Sequence, residues 1–177
     1  MDKKELRAKI RQQKRAMTEE QIVQASARLG ELFVQTKQYQ EAKTIYGYLP
    51  YNQEVRTVPM LEQALKDGKK VAVPKCYGDE MRFIYMDDLS KVESGYAGIP
   101  EPVADDPVAE DKTALVLMPG MAFTKNGDRM GYGGGFYDKF LAAEPDHPTV
   151  ALCYDFQMVE SLPTEDYDIP VDCVLWA

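Results

Sequence analysis

Apolar side chains recur with helical spacing over the N-terminal part of the chain. Residues 2–16 lack glycine and proline, and their apolar positions fall near one face, which predicts a helix. A second helix is predicted to start at Thr18, because the stretch TEEQ is a capping-box pattern in which Gln21 can reach back to the cap. The apolar stripe of this second helix is formed by Ile22, Ala25, Leu29, Leu32 and Phe33.

Short apolar runs alternate with further helical stretches along the rest of the chain. Thr57 is predicted to cap a helix that ends at Gly68, and a short helix is predicted over 136–143. This alternation favours an α/β layered fold with a largely parallel sheet. The predicted strands are 44–49, 71–74, 81–86, 114–120, 149–155 and 173–177.

The segment 95–112 interrupts the alternation. Its sequence, GYAGIPEPVADDPVAEDK, contains three prolines, two glycines and five acidic residues. This composition predicts a loop with little regular structure. Because its charge would repel anions, we expect this loop at the rim of any anion site.

The composition fits one globular domain over residues 1–177, since 45% of the 177 residues are hydrophobic. The formal net charge of −8 disfavours nucleic acid as a partner. Three widely spaced cysteines favour neither a disulfide framework nor a zinc site. No apolar run approaches the roughly 18 residues of a membrane helix. We therefore expect a cytoplasmic protein that binds neither nucleic acid nor membranes.

The first predicted helix carries a concentrated basic stripe on an otherwise acidic protein. Its members, which fall within about 80° of one another at 100° per residue, are Lys3, Arg7, Arg11 and Lys14. The stripe is either a solvated helix face or part of an anion site, and the pattern alone leaves both interpretations open.

A glycine-rich stretch lies between the predicted strand 114–120 and the predicted helix 136–143. Its glycines have the spacing G-x-G-G-G at 131–135, which matches neither the dinucleotide fingerprint nor the P-loop. Bare backbone before a helix start can bind phosphate through N–H groups, and Arg129 could add a bidentate contact. The alternative is a tight strand-to-helix turn without a ligand.

Asp138 lies just after the glycines, in the first turn of the predicted helix. A carboxylate beside a phosphate loop would repel the phosphate unless a cation such as Mg²⁺ lay between them. The alternative is an acidic residue that the helix dipole favours in a first turn.

Several separated segments together resemble the 5-formyltetrahydrofolate cyclo-ligase family, also called the methenyltetrahydrofolate synthetases. The segments span nearly the whole chain, and the longest is the most specific. They are KKELR at 3–7, YLPYNQEVRT at 48–57, VAVPK at 71–75, GIPEP at 98–102, LMPGMAFTKNGDRMGYGGGFYDK at 117–139 and DYDIPVDCVL at 166–175.

The resemblance implies a single three-layer α/β/α domain around a mostly parallel sheet. It implies cyclisation of 5-formyltetrahydrofolate to 5,10-methenyltetrahydrofolate, with ATP as co-substrate, Mg²⁺ as cofactor, and release of ADP and phosphate. In the implied mechanism the formyl oxygen is phosphorylated, and N10 of the same folate then attacks the activated carbon. We expect a monomer whose partners are these two small molecules.

The resemblance also implies the site residues. Arg129 and Asp138 would be catalytic, and Asp138 and Asp168 would hold the metal. The implied ATP contacts are Lys3, Lys4, Arg7, Arg129, Met130, Gly131, Tyr132, Gly133, Gly134, Gly135, Phe136 and Tyr137. The implied folate contacts are Leu49, Glu54, Gly131, Tyr132, Gly133, Gly134 and Gly135.

Two positions depart from the family's pattern. Many relatives carry lysine where this chain has Gly134, and many carry tyrosine where it has Phe136. The missing phosphate cation could be replaced by Lys125, by Lys139 or by the basic stripe, and the sequence leaves these three alternatives open.

The implied chemistry requires no activated side-chain nucleophile, because the substrate supplies both reacting groups. Glu54 is the carboxylate that would accept hydrogen bonds from the pterin edge. His147, in the stretch EPDHPT, is predicted to lie in an exposed loop without a catalytic role. Apolar residues that could contact the folate, but that core packing would explain as well, are Leu49, Met81, Phe83, Tyr85 and Met118.

Two other functions use the same residues differently. A sugar-phosphate isomerase or an acyl-CoA-type transferase on a similar sheet could use the glycine loop for its anion. A protein that carries folate or nucleotide without turnover could use the loop as well. The set Arg129, Asp138 and Asp168 argues against a carrier, because pure binding does not require a metal–phosphate site.

Overall fold

A computed structural model describes all 177 residues of the chain. The helices are α1 Lys3–Arg15, α2 Glu19–Val34, α3 Lys37–Glu41, α4 Val58–Lys66 and α5 Phe136–Ala143. The strands are β1 Thr44–Tyr46, β2 Lys70–Tyr77, β3 Glu80–Tyr85, β4 Val92–Ser94, β5 Pro100–Pro102, β6 Leu115–Met118, β7 Ala122–Phe123, β8 Arg129–Met130, β9 Thr149–Cys153 and β10 Cys173–Trp176.

Six of the strands form one central sheet in the order β10-β9-β6-β1-β2-β3. Every neighbouring pair in this sheet is parallel except β2 and β3, which form an antiparallel hairpin. The predicted α/β fold with a mostly parallel sheet is therefore confirmed. The strand order reverses between β1 and β6, and this is the place where open α/β sheets bind their ligands.

Helices cover both faces of the sheet, because its central strands are apolar on both sides. On one face Ile45, Leu115 and Val150 belong to a core cluster that includes residues of α2 and α4. On the other face Tyr46 and Val116 pack in a second cluster that includes Leu141 of α5. The result is a three-layer arrangement in which successive strand residues serve opposite layers.

The N-terminal helix packs on a small hairpin rather than on the main sheet. Ile10, which is buried, shares a cluster with Met121, Ala122 and Met130 of the β7–β8 hairpin. The glycine stretch follows β8 directly. This contact therefore places the basic stripe of α1 beside the glycines.

Helix starts are the local feature that the sequence predicted best. The Thr18 hydroxyl accepts a hydrogen bond from the Gln21 backbone N–H (3.1 Å), as the capping box requires. Thr57 does precede α4, but its predicted capping role is wrong. Its buried hydroxyl donates instead to the Tyr48 carbonyl, which fixes the segment that leaves β1.

The prediction of an irregular loop over 95–112 is wrong in part. β5 lies within it and pairs with β4 as an antiparallel hairpin, and Val108 forms a bridge to Ile84. The buried Lys75 of β2 holds the following residues, because its ammonium donates to the Val103 carbonyl (3.1 Å) and pairs with Asp105 (3.1 Å). The prolines and glycines of this segment indicate irregular structure, whereas the hairpin forms because of contacts with residues that are distant in sequence.

His147 does not lie in an exposed loop, as predicted, but in the core. It is 5% exposed, its Nδ1 lies 2.7 Å from the Ala114 carbonyl, and its Nε2 lies 2.9 Å from a Glu144 carboxylate oxygen. Both ring nitrogens therefore have structural partners.

No helix in the structure combines the length and the apolar character that crossing a membrane requires.

Gly127→Ala is expected to lower the free energy of unfolding by about 3 kcal/mol. Gly127 has a positive φ of 94°, and a Cβ there would lie 2.1 Å from the Val171 carbonyl oxygen. The Val171 N–H also donates to the Gly127 carbonyl (2.8 Å), so relief of the clash would disturb this bond. Urea unfolding followed by circular dichroism measures the change.

Gly68→Ala is the matched control. Gly68 also has a positive φ (82°), but no atom lies within 4 Å of a Cβ built there. The cost should therefore be the backbone strain alone, about 1 kcal/mol. Equal losses for the two variants would contradict the role of the Val171 contact.

Candidate active site

The principal cavity, of about 650 Å³, lies at the carboxyl ends of β1 and β6. Its walls come from α1, the segment 48–54 after β1, the β4–β5 hairpin, the glycine stretch 131–135 and the first turn of α5. The chain leaves β1 at Tyr46, earlier than the predicted strand 44–49, so that the following residues face the cavity instead of extending the sheet.

Every site residue implied by the resemblance lines this cavity except Lys4. All four members of the basic stripe line it as well. Lys4 is exposed and lies next to Lys3 on the helix, turned about 100° from it, so the two side chains cannot share one face. The structure thus brings together the residues implied to bind phosphate, the two aspartates implied to hold the metal, and Glu54, the carboxylate implied to bind folate.

The glycine stretch forms an open turn between β8 and α5. Gly133 and Gly135 have positive φ values of 105° and 71°, and Gly135 precedes the first residue of the helix. Arg7 of α1 donates through Nε to the Gly131 carbonyl (3.2 Å). The helix start contributes unpaired N–H groups, so this turn presents donors and positive charge to the cavity.

Arg129 is almost completely buried behind this turn, with its side chain 6% exposed. Its Nη1 donates to the Pro119 carbonyl (3.0 Å), and its Nη2 lies 3.7 Å from an Asp138 carboxylate oxygen. Burial lowers the pKa of the guanidinium, whereas Asp138 and Asp168 both act to raise it. Because the pKa of an arginine guanidinium is so high, Arg129 stays charged even when it is buried. It is therefore a fixed cation at the base of the site.

Asp138 and Asp168 come from different parts of the chain, and both act electrostatically on this guanidinium. Asp138 belongs to the first turn of α5, and one carboxylate oxygen of Asp168 accepts from the Glu165 backbone N–H (2.7 Å). No cluster of three or more acidic, histidine or cysteine side chains could enclose a metal ion. Two carboxylates facing a phosphate site nevertheless suit Mg²⁺, which takes one or two carboxylates and completes its shell with phosphate oxygens and water.

Glu54 lines the cavity beside Tyr132 of the glycine turn and is held by two donors. One carboxylate oxygen accepts from the Tyr51 backbone N–H (2.8 Å), and the other accepts from the Tyr132 hydroxyl (3.1 Å). Burial raises the pKa of this carboxyl, and these hydrogen bonds and the nearby Lys14 only partly oppose the rise. An oriented carboxylate of this kind can accept two donors from a planar ligand edge.

Sequence reasoning missed part of the cavity wall. The missed lining residues include Tyr48, Tyr51, Asn52, Cys76, Tyr96, Ile99, Glu101 and Tyr167. Tyr96 belongs to the region that was predicted as a loop, so no local pattern indicated it. Ile99 and Glu101 lie in GIPEP at 98–102, a segment of the resemblance that carried no assigned site residue. Tyr51 and Asn52 lie inside a segment that the resemblance had already singled out.

The apolar folate candidates divide between cavity and core. Leu49 and Met81 line the cavity. Phe83 and Met118 are 2% and 0% exposed and belong to the second core cluster, which Tyr85 also contacts. The core interpretation therefore holds for the last three residues.

The three alternatives for the cation missing at Gly134 are also separated. Lys125 lies over the Trp176 ring at 6.0 Å, and Lys139 pairs with Asp79 at 3.6 Å. Neither lysine lines the cavity, whereas the basic stripe does. Of the three alternatives, only the stripe contacts the glycine turn, through the hydrogen bond from Arg7 to Gly131.

Comparisons with known proteins show similarity over nearly the whole chain. The family model described as the 5-formyltetrahydrofolate cyclo-ligase family matches residues 1–177. The chain is 31% identical to the 5-formyltetrahydrofolate cyclo-ligase of Escherichia coli K12, over 94% of this chain and 95% of that protein. It is 28% identical to the mouse enzyme of the same name, over 98% and 93%. The NMR structure of Aquifex aeolicus 5,10-methenyltetrahydrofolate synthetase superposes with a TM-score of 0.85 at 29% identity, over 99% and 90%.

Proposed function

Because the chain belongs to the 5-formyltetrahydrofolate cyclo-ligase family, we propose that it cyclises 5-formyltetrahydrofolate to 5,10-methenyltetrahydrofolate and consumes ATP with Mg²⁺. The observation that carries this proposal is that a glycine turn, two carboxylates and the half-buried Glu54 line one cavity. We also propose that the protein acts as a monomer with one domain over 1–177, and the one central sheet with helices on both faces supports the single domain. The cavity volume suits a folate with a nucleotide phosphate chain.

The ATP phosphates are proposed to bind at the glycine turn. Backbone N–H groups of the turn and the start of α5 face the cavity, and Lys3 and Arg7 line the same wall. Arg129 is held from behind by the Pro119 carbonyl, so its charge is fixed before the ligand arrives. Phosphoryl transfer requires mainly positioning and neutralisation of charge, and this arrangement supplies both.

Mg²⁺ is proposed to bind between the phosphates and the carboxylates of Asp138 and Asp168. When bound there, it would neutralise phosphate charge during transfer. The negative charges of both carboxylates also offset the positive charge of Arg129, on which both act electrostatically. Lys4, which does not line the cavity, is left out of the proposed site.

The folate is proposed to bind with its pterin edge against Glu54. Leu49 and Met81 provide apolar surface in the same cavity, and Tyr132 of the glycine turn is hydrogen-bonded to Glu54. The formyl group would then lie between the pterin contact and the phosphate site. This order along the cavity is what in-line transfer between the two substrates requires.

The proposed reaction has two steps. The formyl oxygen attacks the γ-phosphorus, the bond from that phosphorus to the β,γ-bridging oxygen breaks, and ADP leaves. N10 of the same folate then attacks the formyl carbon, N10 loses its proton, and the C–O bond breaks to release phosphate. The methenyl bridge remains as the product. No protein nucleophile takes part, and His147, buried in the core, has no role in either step.

An isotope experiment tests this route directly. 5-Formyltetrahydrofolate labelled with ¹⁸O in the formyl group should transfer its label to the released inorganic phosphate. Mass spectrometry of the phosphate measures the transfer. Label recovered in water or retained by the folate would rule out phosphorylation of the formyl oxygen.

Folate binding is expected to weaken on the acidic side of neutrality. The pKa of Glu54 is raised by burial, and only its deprotonated form can accept two donors from the pterin. Affinity should therefore be full above the raised pKa and fall as the pH decreases through it, at higher pH than an ordinary glutamate would require. Equilibrium titration at a series of pH values checks this, and an affinity that stays constant down to the ordinary glutamate range would contradict it.

A further inference from the structure

Lys14 differs from the other members of the basic stripe. It lies at the C-terminal end of α1 and is 7% exposed, although lysine is rarely buried without a partner. Its ammonium makes no ion pair within 4 Å, and it donates to the Tyr132 hydroxyl oxygen at 3.3 Å. It also lies 5.5 Å from the centre of the Tyr132 ring.

Tyr132 connects this lysine to the carboxylate of Glu54. Its hydroxyl donates to Glu54 at 3.1 Å, so Lys14, Tyr132 and Glu54 form a continuous hydrogen-bonded chain. The three residues come from α1, the glycine turn and the segment after β1, and all line the cavity. Three separate parts of the chain are thus joined at one end of the site.

The direction of these hydrogen bonds follows from the donors that each group has. A lysine ammonium can only donate, so the Tyr132 oxygen must accept from Lys14. The single hydroxyl hydrogen is then directed to Glu54, which must accept it. Lys14 therefore fixes the orientation of a hydroxyl that could otherwise rotate, and its charge favours the carboxylate form of Glu54.

We propose that Lys14 is a positioning residue that acts through Tyr132 to orient Glu54 and keep it deprotonated for folate binding. The inference rests on the proposed function, since it assumes that Glu54 binds the folate. It divides the basic stripe by role. Lys3 and Arg7 belong to the proposed phosphate contacts, whereas Lys14 is linked through Tyr132 to Glu54.

The titratable groups around Glu54 fix the sign of the expected effect. Lys14 is the cation that lowers the pKa of Glu54, and Tyr132 lowers it through the hydrogen bond. Loss of Lys14 should therefore raise this pKa further. The other titratable groups whose electrostatic interaction with Glu54 is evident are Tyr48, Tyr137 and Tyr154.

The binding test compares Lys14→Met with Lys14→Arg. Methionine keeps the volume and removes the donor and the charge, whereas arginine keeps both. We expect Lys14→Met to weaken 5-formyltetrahydrofolate binding by about fivefold near neutral pH, the equivalent of one hydrogen bond. The acid limb of binding should also move to higher pH. Lys14→Arg should restore both, and affinity for a non-hydrolysable ATP analogue should be unchanged in either variant.

A second readout does not depend on the proposed function. The ¹³C resonance of the Glu54 side-chain carboxyl, followed by NMR from about pH 4 to about pH 9 in the ligand-free protein, reports its protonation. Its midpoint should move to higher pH in both Lys14→Met and Tyr132→Phe, and circular dichroism verifies that each variant is folded.

The two readouts together distinguish failure of the Lys14 inference from failure of the proposed function. An unmoved Glu54 midpoint in Lys14→Met would overturn the inference, and so would loss of ATP-analogue affinity with intact folate binding. If the wild-type protein does not bind 5-formyltetrahydrofolate but the midpoint moves as expected, the proposed function fails and the Lys14–Glu54 coupling stands as a property of the cavity.

Discussion

Asp138→Asn is expected to lower turnover of 5-formyltetrahydrofolate by about 10²- to 10³-fold, the range for loss of one preorganised electrostatic group. Asparagine keeps the size of the side chain but removes the negative charge that Mg²⁺ prefers. Arg129, whose Nη2 lies 3.7 Å from this carboxylate, also loses its partner. Folate affinity should change little, because Glu54 is held by other residues. Steady-state kinetics and equilibrium folate titration measure the two effects separately.

Asp146→Asn is the matched control for this variant. Asp146 is an exposed carboxylate shortly after α5 and does not line the cavity. The turnover of the Asp146→Asn variant should equal that of the wild type. A loss in Asp138→Asn that higher Mg²⁺ concentration partly restores would support the metal role. Wild-type turnover in Asp138→Asn would remove Asp138 from the mechanism.

Glu54→Gln is expected to weaken folate binding by about 10- to 100-fold, the range for loss of a charged hydrogen-bond acceptor. Glutamine is isosteric with glutamate, but only one of its two terminal atoms can accept a hydrogen bond. The Tyr51 N–H and the Tyr132 hydroxyl would compete with the pterin for that atom. ATP affinity should be unchanged, because Glu54 is not among the proposed phosphate contacts. Isothermal titration with each ligand measures both affinities.

Glu62→Gln provides the control for Glu54→Gln. Glu62 is exposed on α4, outside the cavity, and should leave both affinities at the wild-type level. The acid limb of folate binding should also disappear in Glu54→Gln. Persistence of that limb would assign the titration to another group.

The features that the sequence predicted well depend on local chemistry. Thr18 and Gln21 close a capping box whichever surface the helix packs on, and α5 begins at Phe136 because glycines end just before it. The glycine turn, Arg129 and Asp138 are consecutive in one segment, so their association needed no knowledge of the fold. The resemblance added Glu54 and Asp168, which are distant in sequence.

The features that the sequence did not predict depend on contacts between distant segments. The β4–β5 hairpin is tied down by Lys75, whose partners Val103 and Asp105 lie almost thirty positions away. In the sequence, Lys14 is only one more cation of the basic stripe. The hydrogen bonds of the folded chain show that it is linked through Tyr132 to the carboxylate of Glu54. Periodicity places a residue on a helix face but does not identify what that face meets.

Formation of the methenyl product decides whether the protein is a cyclo-ligase. The protein is mixed with 5-formyltetrahydrofolate, ATP and Mg²⁺, and the near-ultraviolet absorbance of the conjugated methenyl product is followed. We expect this band to form, to require both ATP and Mg²⁺, and to be accompanied by release of one ADP for each product formed. Demonstrable folate binding without any product under these conditions would contradict the proposed function and would indicate a protein that carries folate without turnover.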